Sequence, residues 1–294
     1  MVRGRSGRTA VRDALRLCFG TLTVLPVRPP RRLDARTAGR AMALAPLAGV
    51  ALAAVVLAAL WLLGGATLGF VPPGGAFTLG AVGEPGPARG SALSPLVAAA
   101  IAVAATAALT RGMHLDGLAD TADGLGSRRA GEEALALMRR GDVGPFGVAT
   151  LVLTLLVQVA GLAACFRAGV GPLALVTALV VSRAALPLAC RHGVPAARPE
   201  GLGAAVAGTV GGAGLLLALA LTVVILAPTA LLAGTGPSGT WGVLRPVLAV
   251  LLPWLAAWAW ARHCVRRLGG VSGDVLGATV EVACTTSLVL FSLT

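Results

Sequence analysis

Three residue types are missing outright from the 294 residues: there is no lysine, no tyrosine and no asparagine. Charge of either sign is scarce, at 12% where a soluble domain carries about 25%. So little polar surface cannot coat a water-soluble particle of this size. Disorder is excluded from the other side, because 56% of the residues are hydrophobic and disordered chains are poor in apolar residues. The composition is that of an integral membrane protein. Cysteine is sparse too: Cys18, Cys165, Cys190, Cys264 and Cys284 are odd in number and never form a C-x-x-C pair. That excludes a disulfide framework and a cysteine zinc site, and the five read as small apolar fillers in or near membrane spans. The net charge of +12 comes entirely from arginine. No basic face interleaved with aromatics accompanies it, so nucleic acid is not an expected partner.

What the chain does have is apolar runs. A membrane-spanning helix needs about 20 predominantly apolar residues, and seven runs approach that length: Ala41–Gly64, Leu93–Thr110, Phe146–Cys165, Pro172–Cys190, Gly214–Leu232, Leu244–Ala261 and Val275–Thr294. The last is the weakest, interrupted by Glu281 and three threonines. The expected fold is therefore all-α, a polytopic transmembrane helix bundle of six to seven spans forming one domain over 1–294. Arginine placement orients it. Ten arginines precede the first run, and alternation puts the segments 111–145, 191–213 and 262–274 on the same side. That side holds 20 arginines against three (Arg89, Arg167, Arg245) on the other, with Arg183 inside a run. The N-terminus and those segments are expected to face the cytoplasm, in the inner membrane of a bacterium. Residues 1–40 read as a cytoplasmic, interfacial segment, because the run Leu15–Val27 is short, contains Arg16 and lacks a small-x-small cleavage site. Gly65–Gly90 reads as an irregular outward loop. No internal repeat suggests a transporter built from duplicated halves.

Acids are the rarest resource, twelve in all, and six of them (Asp116, Asp120, Asp123, Glu132, Glu133, Asp142) fall within 27 residues of the 111–145 segment. Asp116, Asp120 and Asp123 stand at i, i+4 and i+7, so a helix would present all three on one face. Like charges at that spacing repel, and a divalent cation is the natural offset. Mg²⁺ is typically held by one or two carboxylates with water and substrate phosphate oxygens, so the stripe suits a metal-bound diphosphate. The competing reading is a solvated acidic face paired with Arg128, Arg129, Arg139 and Arg140. Arg139 and Arg140, ahead of a glycine-rich segment, are candidate phosphate ligands as well as an ordinary basic flank. His114 alone carries little information. In Gly269–Ala278, three glycines before Asp274 would let a backbone approach a ligand closely. Glu281, two turns further into the membrane, needs a partner there, and Arg183 is the candidate. His192, Arg198 and Glu200 read as solvated loop residues, and Trp254, Trp258 and Trp260 as packing and interface anchors.

The segment His114-Leu-Asp-Gly-Leu-Ala-Asp-Thr-Ala-Asp-Gly124 resembles the signature of the membrane-bound cobalamin synthases, the adenosylcobinamide-GDP ribazoletransferases. Further stretches agree in order: Leu25-Pro26-Val27, Pro46-Leu-Ala-Gly49, Met138 to Gly147, Ser182-Arg183, Glu200-Gly-Leu-Gly203, and Gly273-Asp274-Val-Leu-Gly-Ala278 with Glu281. One departure is Arg139-Arg140-Gly141-Asp142, where many members have Lys/Arg-Asp-Ser-Arg. The resemblance implies transfer of the phosphorylated corrinoid of adenosylcobinamide-GDP to alpha-ribazole or its 5'-phosphate, with release of GMP. It implies Mg²⁺ on Asp116, Asp120 and Asp123, with one of these or Asp274 as general base. Arg139 and Arg140 would hold phosphate oxygens, and His114, Arg183 and Glu281 would contact substrate. Membrane lipid and other late corrinoid-pathway enzymes are the expected partners. Two alternatives stay open on the residues alone: another Mg²⁺-dependent membrane transferase, such as a CDP-alcohol phosphotransferase, and a transporter.

Overall fold

The structure is a computed structural model that describes residues 3–64, 93–234 and 240–293; the expected Gly65–Gly90 loop lies outside them. Every regular element among the described residues is a helix, joined by two isolated bridges, Arg191↔Val210 and Ala196↔Val271.

The chain opens with α1 (Arg3–Leu22) and α2 (Ala35–Ala43). Asp34 caps α2 by accepting the Thr37 N–H at 2.7 Å, satisfying a donor left open by helix geometry. Asp13, 5% exposed, accepts the Arg31 backbone N–H at 3.1 Å and so ties α1 to the approach to α2. The amphipathic N-terminal segment is thus packed on the bundle through Ala14, Cys18 and Leu22. Leu44 separates α2 from α3 (Ala45–Gly64), so the first apolar run is two helices and its spanning part starts four residues later than the hydropathy implies.

All seven apolar runs are helical. Five are long and apolar enough to cross a membrane on their own: Ala45–Leu63, Pro145–Arg167, Gly171–Ala189, Val247–Leu268 and Gly273–Ser292. A sixth candidate is the pair α4 (Pro95–Leu109) and α5 (Met113–Gly126), which turns through 88° between its halves. The seventh run, α11 (Gly212–Gly234), has a described apolar part only from Gly212 to Pro228. Among the described residues, five to six spans are therefore long and apolar enough, in keeping with a polytopic helical bundle.

The remaining elements are α6 (Gly131–Leu137), α7 (Pro145–Arg167), α8 (Gly171–Ala184), α9 (Leu186–Ala189), α10 (Leu202–Val206), α12 (Thr240–Leu268) and α13 (Gly273–Ser292). The α8–α9 span is 78% buried and α13 61%, against 28% for α7 and for the Val247–Leu268 part of α12. Two central helices are therefore ringed by helices whose outer faces carry Leu153, Leu156, Leu216, Val224, Leu251 and Leu255, all exposed. In water such a surface would be untenable; in hydrocarbon it is the required one. The protein is a multi-pass membrane protein. Small residues bring the central helices together. A Cβ on Gly49 would run into the Leu179 carbonyl, so α3 and α8 touch backbone to backbone. All five cysteines are free and buried.

Candidate active site

The α4–α5 corner sets the site. Arg111 and Gly112 take left-handed φ values of 56° and 67°, a conformation natural to glycine and rare elsewhere, and the chain swings from α4 into α5. The end of α1 pins this corner: Leu109 O accepts the Val24 N–H at 2.8 Å, and Arg111 donates to Gly20 O at 3.3 Å. Helix α5, turned 88° from α4, then lies across the start of α13. The crossing is close because both partners are glycine. A Cβ on Gly117 would sit 2.6 Å from the Asp274 carbonyl oxygen, and one on Gly277 would sit 3.1 Å from the His114 Cα.

The segment holding Asp116, Asp120 and Asp123 is helical, as their spacing requires, but the three do different things. Asp116 is exposed and Asp120 half-buried. Asp123 is 7% exposed, and its two oxygens accept the Gly144 N–H at 2.7 Å and the Gly147 N–H at 2.9 Å. It therefore clamps the start of α7. A Cβ on Gly144 or Gly147 would strike that carboxylate, which explains the glycines of this segment as packing against Asp123. Arg139, Arg140 and Asp142 are exposed in the stretch between α6 and that clamp. They lie beside the acids in sequence, with no side-chain contact to them.

Asp274 enters from the first turn of α13. Ser272 caps the helix, accepting the Val275 N–H at 3.3 Å and donating to Asp274 Oδ2 at 3.2 Å. The same Oδ2 lies 3.5 Å from an Arg198 nitrogen. Arg198 also donates to Leu135 O at 3.3 Å, while its Nε is buried without a partner. It is not the solvated loop residue its sequence context indicates. Proline-rich, polar surroundings mask it, and the signal that could have found it is the need of four nearby acids for a counter-cation. The three glycines before Asp274 also have another use than close approach to a ligand. Gly270 is overlaid by the backbone of Pro195–Ala197, held by Ala197 N to Val271 O and Val271 N to Pro195 O, each 2.9 Å. That strap delivers Arg198.

The acids are electrostatically coupled. Burial, then the charges of Asp116, Asp274 and Asp123, push the Asp120 carboxyl up to about 6, with Arg198 pulling the other way. No group of three His, Cys, Asp or Glu among the described residues is drawn together tightly enough to hold an ion by protein ligands alone. The donors at hand are hard carboxylate oxygens, partly open to solvent and mutually repelling. That set suits Mg²⁺, which keeps waters and takes oxygens from phosphate.

Beneath α5 lies a second polar layer. His114, 3% exposed, has Nδ1 3.4 Å from an Arg183 nitrogen, and Arg183 also donates to Ser182 Oγ at 2.9 Å. Glu281 is paired with Gln158, which donates to it at 2.7 Å and to Thr285 at 2.9 Å. The expected Arg183–Glu281 ion pair is absent: among the described residues the ion pairs are Arg16–Asp13 and Arg198–Asp274. Both residues instead line one cavity of about 20 Å³ between α4, α7, α8 and α13, room for a single water. An amide partner for Glu281 was not legible because Gln158 sits 123 residues away in an otherwise apolar run. Trp254 donates to Val181 O at 3.1 Å and so packs on α8, as expected of an anchor.

A membrane-spanning helical bundle that gathers acids at one end, with an arginine set among them, is an arrangement suited to a class of protein: a membrane-embedded enzyme for a charged, phosphate-bearing substrate. The model of the family described as cobalamin-5-phosphate synthase matches residues 71–292. A relative from Frankia casuarinae named adenosylcobinamide-GDP ribazoletransferase is 38% identical over 95% of this chain and 94% of its own. Another of that name from Nocardioides sp. is 39% identical over 96% of this chain and 99% of its own. A third, from Bradyrhizobium diazoefficiens, is 38% identical over 63% of this chain. No solved structure matches the chain. The chain belongs to the cobalamin-5-phosphate synthase family.

Proposed function

We propose that the protein transfers the phosphorylated corrinoid of adenosylcobinamide-GDP to alpha-ribazole, or to its 5'-phosphate, releasing GMP. The observation that carries this reading is the match, over almost the whole length of both chains, to relatives named for that reaction. The coupled acids at the mouth of the bundle supply chemistry that fits it.

Asp116, Asp120 and Asp274 would hold Mg²⁺, with substrate phosphate oxygens and water completing its shell. When bound, the ion neutralises charge on the diphosphate and its leaving phosphate. The ribazole hydroxyl oxygen attacks the phosphorus nearer the corrinoid. The new O–P bond forms as the bridging P–O bond breaks, and GMP departs with the electron pair. Such a displacement needs positioning and charge neutralisation more than covalent help. An acid of the cluster, Asp274 or one of the α5 aspartates, takes the hydroxyl proton. Asp123, with both oxygens committed to Gly144 and Gly147, acts by fixing the loop that carries Arg139 and Arg140 toward phosphate. His114, Arg183 and Glu281 form the buried layer that backs α5, and their contact with substrate is indirect in this arrangement. The arginine excess around the same end supports a cytoplasm-facing site in a bacterial inner membrane, where other late corrinoid-pathway enzymes could hand over the bulky donor.

The test is reconstitution in liposomes with adenosylcobinamide-GDP, alpha-ribazole and Mg²⁺. Release of GMP that EDTA abolishes is the expected result. Folded protein that releases none, yet consumes a CDP-alcohol donor, would overturn the reading.

A further inference from the structure

A second cavity, of about 120 Å³, opens at the same end of the bundle between the segment that follows α9 and the last turns of α12. Its walls include three guanidinium-bearing side chains, Arg191, Arg262 and Arg266, above an apolar floor of Val194, Ala261 and Val265. No acid lines it. The two ion pairs among the described residues involve other arginines, so among those residues this positive charge has no ion-pair partner. Two of the three are held in place. Arg191 donates to Leu188 O at 2.7 Å, and Arg262 lies over the Trp258 ring, 5.4 Å from its centroid, a cation–π contact. Arg266 is one helical turn beyond Arg262, so both project from one face of α12.

We propose that this pocket binds a phosphate-bearing anion, independently of the reaction at the aspartates. Guanidinium groups bind phosphate in bidentate fashion and are more weakly hydrated than ammonium groups. Three of them around one concave, partly apolar space suit a phosphate whose other substituent is greasy. The helix carrying two of them is a membrane span up to Leu268, so the pocket sits where α12 leaves the hydrocarbon, at headgroup level. Basic pockets between helices at that depth are sites for anionic lipid. The chemistry is shared by two sources, a phospholipid headgroup and a free phosphate in solution.

Both sources are tested on the full-length protein in detergent. In the first arm, native mass spectrometry follows retention of added phosphatidylglycerol against phosphatidylcholine. In the second, thermal unfolding is followed with and without millimolar inorganic phosphate. The variants are Arg262→Gln, Arg266→Gln and the double substitution; both side chains are exposed, so folding is not at stake. Arg36→Gln, also exposed and remote in sequence, controls for net charge. Selective retention of phosphatidylglycerol, falling about fivefold for each pocket arginine removed and unchanged in Arg36→Gln, supports a lipid headgroup. Stabilisation by inorganic phosphate that only the pocket variants lose supports a free phosphate. Pocket variants that match the wild type, or the Arg36→Gln control, in both arms overturn the proposal.

Discussion

Asp120→Asn should destroy activity and yet stabilise the protein. The substitution keeps shape and removes a charge that the fold disfavours: burial and the acids around it raise the Asp120 carboxyl from 3.8 to about 6. At full strength that displacement corresponds to ~3 kcal/mol. Asp120 is only half-buried, and solvent screening brings the expected gain down to ~1 kcal/mol, or about 2 °C in melting temperature for a chain of this size. The sign follows from linkage. The folded chain binds this proton more tightly than the unfolded chain, so the wild type loses stability as pH rises from about 4 through about 6. The variant, with no proton to lose, should therefore gain most above pH 6 and nothing below about pH 4. Tryptophan-fluorescence melts in detergent with EDTA, across that range, provide the assay. Adding Mg²⁺ should stabilise the wild type and leave the variant nearly unmoved. A variant less stable than wild type at pH 7 in EDTA, or a difference that does not change with pH, would refute the argument that these acids repel one another.

Three other substitutions probe the scaffold. Asp123→Ala removes the acceptor of the Gly144 and Gly147 N–H groups and should cost about 1–2 kcal/mol in melts, with Asp123→Asn recovering part of it; no loss would show that the clamp is idle. Gly117→Ala places a methyl against the Asp274 backbone and should cost about 1–3 kcal/mol together with turnover, because Asp274 moves with the strain. A fully active, equally stable Gly117→Ala protein would deny the close crossing. Arg198→Ala removes the cation that opposes the acids. The fall in wild-type stability between pH 4 and 6 should then extend to higher pH, and an unchanged melting profile would place Arg198 outside the cluster.

Much of this was legible in the sequence because hydropathy and periodicity report on single segments. Each of the seven apolar runs is helical, two of them broken into a pair of helices, and the i, i+4, i+7 aspartates do share a helix. What was not legible depends on distant partners. Asp123 reads like its two neighbours until α7 is placed behind it. Glu281 asks for a cation by charge alone, yet its hydrogen-bond partner is an amide from another helix. Gly270 has the look of a ligand-approach residue, and the backbone that approaches is the chain's own strap. Arg198 belongs to the acids only because that strap closes. A helix boundary failed where backbone geometry intervened, at Leu44, since that break does not interrupt the apolar pattern.

The most direct test of the account is to quantify GMP and cobalamin together, in the same liposomes, for the wild type and for Asp120→Asn. Equal amounts of the two products from the wild type, and neither from a membrane-inserted, folded variant, is the predicted result. GMP without cobalamin would mean hydrolysis rather than transfer, and wild-type yields from Asp120→Asn would remove the acid cluster from the chemistry.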